Sequence, residues 1–235
     1  MSAQAAGRST GHGPGQGSGK ALGVAFATAL VCSVIVTGTH LLLQPVRQSL
    51  ADASRYRNVL DVSGLLPDTP PSDRELAALV RQLDVREVEI ARTNADQTEV
   101  AAETVFLIWA DGKLQRLILP VAGQGMWAPI RGYLALEPDL RTVAAISFHE
   151  TADTPGIGDK IQDPAWRALW HGKLAYDDAG APALGASDDP RYRIDAIAGA
   201  TVTVTAATKL VRDALGADGF GPFLDRLRRE GVTAP

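Results

Sequence analysis

The run from Ala21 to Leu43, ALGVAFATALVCSVIVTGTHLLL, contains no formally charged side chain. Wound as a helix at about 1.5 Å per residue it spans roughly 35 Å, enough to cross the hydrocarbon of a bilayer with some tilt. A cleaved leader is the competing reading, but its apolar centre is usually about 7–15 residues and ends at a small-x-small site. This run is longer, and Leu41-Leu42-Leu43-Gln44-Pro45 offers no such site. Ala21 to Leu43 is therefore predicted to be an uncleaved anchor with lipid around it. Cys32 and His40 lie inside it, His40 near one end, where it reaches the headgroups.

An anchor of this kind divides the chain. Residues 1–20, MSAQAAGRSTGHGPGQGSGK, are Gly/Ser-rich and too poor in large apolar side chains to offset the entropy of ordering, so they read as a disordered tail. Residues 44–71 read as a juxtamembrane helix and linker. Val46, Leu50, Ala53, Arg57 and Leu60 fall near one helical face, and Leu66-Pro67-Asp68-Thr69-Pro70-Pro71 is a break. Residues 72–235 are then the folded domain. Arg8 and Lys20 precede the span while Arg47, Arg55 and Arg57 follow it, which by count alone puts the domain in the cytoplasm. With a formal net charge of -4 and no basic block, nothing points to a nucleic-acid partner, and none is expected. The single cysteine excludes an intramolecular disulfide and a cysteine-based metal cluster.

Within the domain, Ser72 and Glu75 have the spacing of a capping box, and Leu76, Leu79, Val80 and Leu83 form the stripe of a short helix. Val85 to Ile90 alternates as a half-buried strand. Val105 to Trp109 and Leu114 to Val121 flank Asp111-Gly112, a strong hairpin signal. Tyr133 to Leu136 and Val143 to Phe148 form a second pair, Asp163-Pro164 starts a short helix carrying Trp166 and Trp170, and Tyr192 to Asp195 reads as a further strand. Strands first and a helix last predict an α+β fold on an antiparallel sheet with flanking helices. Two loops are irregular by composition: Gly123 to Gly132, which holds Trp127, and His149 to Asp159, which contains Thr154-Pro155-Gly156-Ile157-Gly158. His149, Glu150 and Asp153 lack the spacing of a metal site, and none is expected.

The most informative stretch is Asp195-Ala196-Ile197-Ala198-Gly199-Ala200-Thr201. Ala207, Leu210, Val211 and Ala214 follow it at helical spacing. A helix N-terminus presents unpartnered N–H groups and the positive end of a dipole, so this is a place for a phosphate. Gly199 lets the backbone come close to a bulky group, the alanines obstruct little, and the Thr201 hydroxyl could bond a phosphate or be esterified by one. The same residues could also be an ordinary turn with a threonine cap.

Asp195 to Thr201 resembles Asp-x-x-[Ser/Thr]-Gly-Ala-Thr, the flavinylation signature of the FMN-binding domains in two related respiratory complexes. One is carried by the C-type subunit of the Na⁺-translocating NADH:quinone reductase, the other by the G-type subunit of the Rnf-type ferredoxin:NAD⁺ reductase. Further motifs resemble the C-type subunit: Gly125-Met126-Trp127 ahead of Gly132-Tyr133-Leu134-Ala135-Leu136, Thr154 to Gly158, Trp166 to Lys173 with its Trp-x-x-x-Trp-x-Gly-Lys form, and Gly219-Phe220-Gly221-Pro222-Phe223-Leu224. Gly158-Asp159-Lys160-Ile161 is closer to the G-type. The resemblance implies FMN joined by a phosphoester to Thr201, with Gly199 and Ala200 beside the phosphate and Trp127, Thr154, Pro155, Gly156, Ile157 and Gly158 at the flavin ring. Ala198 departs from the signature, and Ala152-Asp153 replaces the usual Gly-Glu.

The resemblance further implies a bacterial inner-membrane protein with its domain on the periplasmic side, opposite to the charge count. It implies other subunits of a sodium-pumping, quinone-reducing redox complex as partners, and a flavin transferase during maturation. No catalytic set of side chains is visible, so an electron carrier without a substrate pocket is expected. A G-type carrier of an Rnf complex, a stand-alone anchored flavoprotein and a tethered module that never acquires flavin are the alternatives.

Overall fold

The computed structural model describes residues 18–66, 71–93, 99–125, 129–151 and 158–232. The first helix, α1 (Ser18–Ser63), is continuous from the apolar run into the segment expected as juxtamembrane. Its window Gly23–His40 has a mean hydropathy of 1.6 and, among the described residues, none of it is buried. Large apolar side chains such as Phe26, Val34 and Val36 are exposed there, the reverse of what water selects and what a lipid environment requires.

The chain divides into two compact units, Met1–Ala51 and Asp52–Pro235. The second is built on a five-stranded antiparallel sheet in sequential order, β1 (Val85–Thr93), β2 (Glu99–Ala110), β3 (Lys113–Gln124), β4 (Pro129–Leu136) and β5 (Val143–Thr151). Asp111 and Gly112 turn β2 into β3 with φ of 51° and 71°, the left-handed pair that a tight hairpin demands. Alternate side chains enter two cores. One face carries Phe106, Ile108, Ile118, Tyr133 and Ala135 against Val59, Leu60 and Val62 of α1 and Leu76 of α2 (Asp73–Gln82). The other carries Val105, Leu107, Leu119, Leu134, Ile146 and Phe148 against α4 (Thr201–Leu215), α5 (Gly221–Glu230) and the two tryptophans. Both faces are covered, which is why Val105 to Trp109 is buried without a break.

The capping box on α2 is formed: Ser72 Oγ accepts from Glu75 N–H, and the Glu75 carboxylate accepts from Ser72 N–H at 2.8 Å. Asp163 caps α3 (Pro164–Ala168) through Ala165 N–H at 2.8 Å. Trp166 and Trp170 meet edge to face at 5.6 Å, and Trp166 tilts over Phe148 of β5. The expected strand Tyr192–Asp195 is not one. Tyr192 and Ile194 are buried and Arg193 and Asp195 exposed, so the alternation is real. Yet the backbone around it bonds to turns, with Gly185 N–H donating to Tyr192 O and Tyr192 N–H to Asp189 O. Alternating burial sufficed without a strand beside it.

Candidate functional site

The motif runs as an irregular segment over the sheet and ends at the N-terminus of α4. The helix docks by the stripe read from the sequence: Ala207, Leu210, Val211 and Ala214 are all buried. Leu210 seats against Gly123 near the end of β3, where a Cβ on the glycine would lie 2.9 Å from Leu210 Cβ. At the start of the motif, Trp166 Nε1–H donates to Asp195 O at 2.9 Å. The Asp195 carboxylate pairs with Arg193 at 2.9 Å.

The chain then turns into α4 through Gly199, whose φ of 78° is in the left-handed region that disfavours other residues. Ala200 is the N-cap and supplies no side-chain bond to the helix. The first α4 bond runs from Val204 N–H to Ala200 O at 3.0 Å. The N–H groups of Thr201, Val202 and Thr203 precede it, the first-turn donors that a helix does not satisfy by itself. Thr201 and Val202 are exposed while Thr203 is 3 % exposed, so of these neighbours only Thr201 offers its hydroxyl outward.

A cation completes the arrangement. Lys160, in the 3₁₀ turn Gly158–Gln162, donates from Nζ to Ala198 O at 3.0 Å. Among the described residues other than its chain neighbours, the same ammonium is the only atom within 4 Å of a Cβ built at Gly199, at 3.6 Å. The donor set of first-turn N–H groups, an ammonium and an outward hydroxyl beside an uncluttered glycine fits a phosphate ester. A concavity of about 350 Å³, lined by Gly185–Asp188 and Arg193–Ala196, abuts the start of the motif. Another of about 420 Å³, holding Arg55, Arg131, Tyr133 and His149, does not include the motif. There Tyr133 and His149 stack at 5.0 Å.

Residues 125–216 match the family model described as an FMN-binding domain. NqrC of Pseudomonas aeruginosa, the C-type subunit of its Na⁺-translocating NADH-quinone reductase, is 33 % identical to this chain, over 85 % of this chain and 92 % of that protein. The chain belongs to the NqrC family. The NqrC of Neisseria meningitidis serogroup B is 29 % identical over 87 % of this chain and 92 % of its own length. Among solved structures, NqrC of Shewanella oneidensis superposes with a TM-score of 0.65 at 27 % identity, over 75 % of this chain and 97 % of that one. The NqrC of Parabacteroides distasonis shares the fold, with a TM-score of 0.61 at 20 % identity over 77 % of this chain and 96 % of that one.

Of the residues that the likeness to NqrC singles out, the structure groups Gly199, Ala200 and Thr201 with the turn that begins at Gly158. Trp127, Thr154, Pro155, Gly156 and Ile157 lie outside the described residues. Lys160 is the residue that sequence reasoning missed. It lies 38 positions from its partner carbonyl, and the sequence singled it out only as part of the Gly158–Ile161 stretch, with no role attached.

Proposed function

We propose that this chain is the electron-carrying C-type subunit of a Na⁺-translocating NADH-quinone reductase, with FMN attached through a phosphoester to Thr201. The observation that carries the reading is the exposed Thr201 hydroxyl at the N-terminus of α4, beside Gly199 and Lys160. FMN would supply the redox chemistry, taking up electrons one or two at a time. The chain's own task is to hold it. First-turn N–H groups of α4 neutralise the phosphate, Gly199 gives it room, and the buried stripe of α4 fixes the attachment point to the sheet. Gly123 packs on Leu210 of α4, and the turn Gly158–Gln162 brings Lys160 to Ala198. By the likeness to NqrC, Trp127 and Thr154 to Gly158 are read as the walls around the flavin ring.

Attachment requires FAD and a flavin transferase. Thr201 Oγ bonds to the flavin-side phosphorus as the P–O bond to AMP breaks. AMP leaves with that electron pair, and the hydroxyl proton passes to solvent. Residues 21–43 hold the protein in the bacterial inner membrane, the domain faces the periplasm on the family's precedent, and the other subunits of the reductase are its redox partners. The test is in-gel flavin fluorescence of the denatured chain after co-expression with a flavin transferase. Wild type, Thr203→Ala and Thr205→Ala should fluoresce and Thr201→Ala should be dark. A dark wild type, or a bright Thr201→Ala, would overturn the reading.

A further inference from the structure

We infer that Lys160 is the phosphate-binding cation for the phosphoester at Thr201. It contacts the phosphoryl group while Thr201 accepts it and neutralises the group afterwards. The inference deepens the Thr201 reading and rests on it. Lys160 reaches the motif from a separate part of the chain. Ile161, fully buried in the same turn, and the capped helix α3 that follows hold the backbone on the C-terminal side of Lys160 against the core. Its Nζ donates to Ala198 O at 3.0 Å, and Gly199 is the next residue. An ammonium has three donors in a rotatable head. The carbonyl uses one and fixes the position of the charge, which leaves two to point at an anion.

The surrounding charges agree with this assignment. Among the described residues Lys160 forms no ion pair, and the nearest carboxylate of the motif, Asp195, is held by Arg193 at 2.9 Å. Lys160 is half-buried, and charge-assisted bonds to phosphate oxygens are roughly twice as strong as neutral ones. The other donors at the site, the first-turn N–H groups of α4, carry only partial charge. Lys160 thus brings a full positive charge to Ala198 and Gly199, just ahead of the attachment point. In the transfer step its role is to stabilise charge building on the phosphoryl oxygens while Thr201 Oγ bonds to phosphorus and AMP departs.

The test is the rate at which purified full-length apoprotein in detergent acquires gel fluorescence from FAD and a flavin transferase. Wild type is compared with Lys160→Gln, Lys160→Met, Lys160→Arg and Thr201→Ala. Both neutral variants should be labelled about tenfold more slowly or worse. Lys160→Arg should recover most of the rate, because it restores charge but not shape. The ³¹P resonance of the attached phosphodiester should move in the slowly labelled neutral variants and stay near the wild-type position in Lys160→Arg. Labelling of Lys160→Gln at the wild-type rate, or equal slowing in Lys160→Arg, overturns the role of Lys160 and leaves Thr201 intact as acceptor. A dark wild type or a labelled Thr201→Ala overturns both.

Discussion

Gly123→Ala tests how α4, and with it Thr201, is held on the sheet. A methyl group at this position would stand 2.9 Å from Leu210 Cβ. Carbon atoms are most comfortable at about 3.5–4.0 Å, so β3 and α4 must part by at least about 0.6 Å or the local backbone must bend. Overpacking of this kind costs about 1–3 kcal/mol, and replacing a strand glycine returns about 0.5–1 kcal/mol. With both ranges taken at their middles the net expectation is a loss of about 1 kcal/mol, which for a unit of this size lowers Tm by about 2–4 °C. Thermal unfolding of the full chain in detergent, followed by far-ultraviolet circular dichroism, measures it. Shortening the partner should not help. The crowded atom is Leu210 Cβ, whereas Cγ and Cδ2 lie at ordinary distances of 3.8 and 3.7 Å, so the same loss should appear in a Leu210→Ala background. An unchanged Tm for Gly123→Ala, or its full rescue by Leu210→Ala, would refute the argument.

Two further expectations concern the motif and a turn. Gly199→Ala should cost about 1–2 kcal/mol through its φ alone, since the one nearby atom, Lys160 Nζ at 3.6 Å, makes an ordinary contact. Gly199→Asn should cost less, because asparagine tolerates the left-handed region, and equal losses in denaturant titrations would contradict this. Asp139 binds the turn between β4 and β5, its carboxylate accepting from Arg141 N–H, Thr142 N–H and Thr142 Oγ1–H at 2.9, 2.8 and 2.5 Å. Burial pushes its pKa up, but these bonds outweigh it and hold the pKa below the ordinary 3.8. Its contribution is therefore fully present above pH 3.8 and is lost as pH falls through the lower folded value. Asp139→Asn should flatten that acid limb of Tm against pH, and an identical slope would sink the assignment.

Features carried by near neighbours in the chain were legible in the sequence. The Asp111-Gly112 hairpin, the Ser72–Glu75 box, the Asp163 cap and the stripe of α4 each depend on residues a few positions apart, and each formed. The helix α5 was less legible. Gly221-Pro222 offers a start, but the helix is 10 residues long, and Phe223, Leu224 and Leu227 make too short a stripe to show a period. Tyr192–Asp195 misled because alternating burial is only half of a strand, and a hydrogen-bonding neighbour is decided elsewhere in the chain. The same holds at the site. Thr201 and Gly199 could be picked out from their own surroundings, whereas Lys160 gains its meaning from a contact made only after folding.

The outward placement of Thr201 also bears on biogenesis. Its neighbours Ala200, Thr203 and Val204 are already covered by polypeptide, at 2, 3 and 4 % exposure. If FMN is attached there as proposed, the packing beneath Thr201 forms without it, and the chain can fold first and be loaded second. The enzyme that does the loading then meets a finished surface. A chain whose α4 has not docked presents no ordered acceptor, no Lys160 beside it and no glycine turn to approach. On the proposed attachment at Thr201, loading would thus act as a quality check, marking for electron transfer only those copies whose folding is complete.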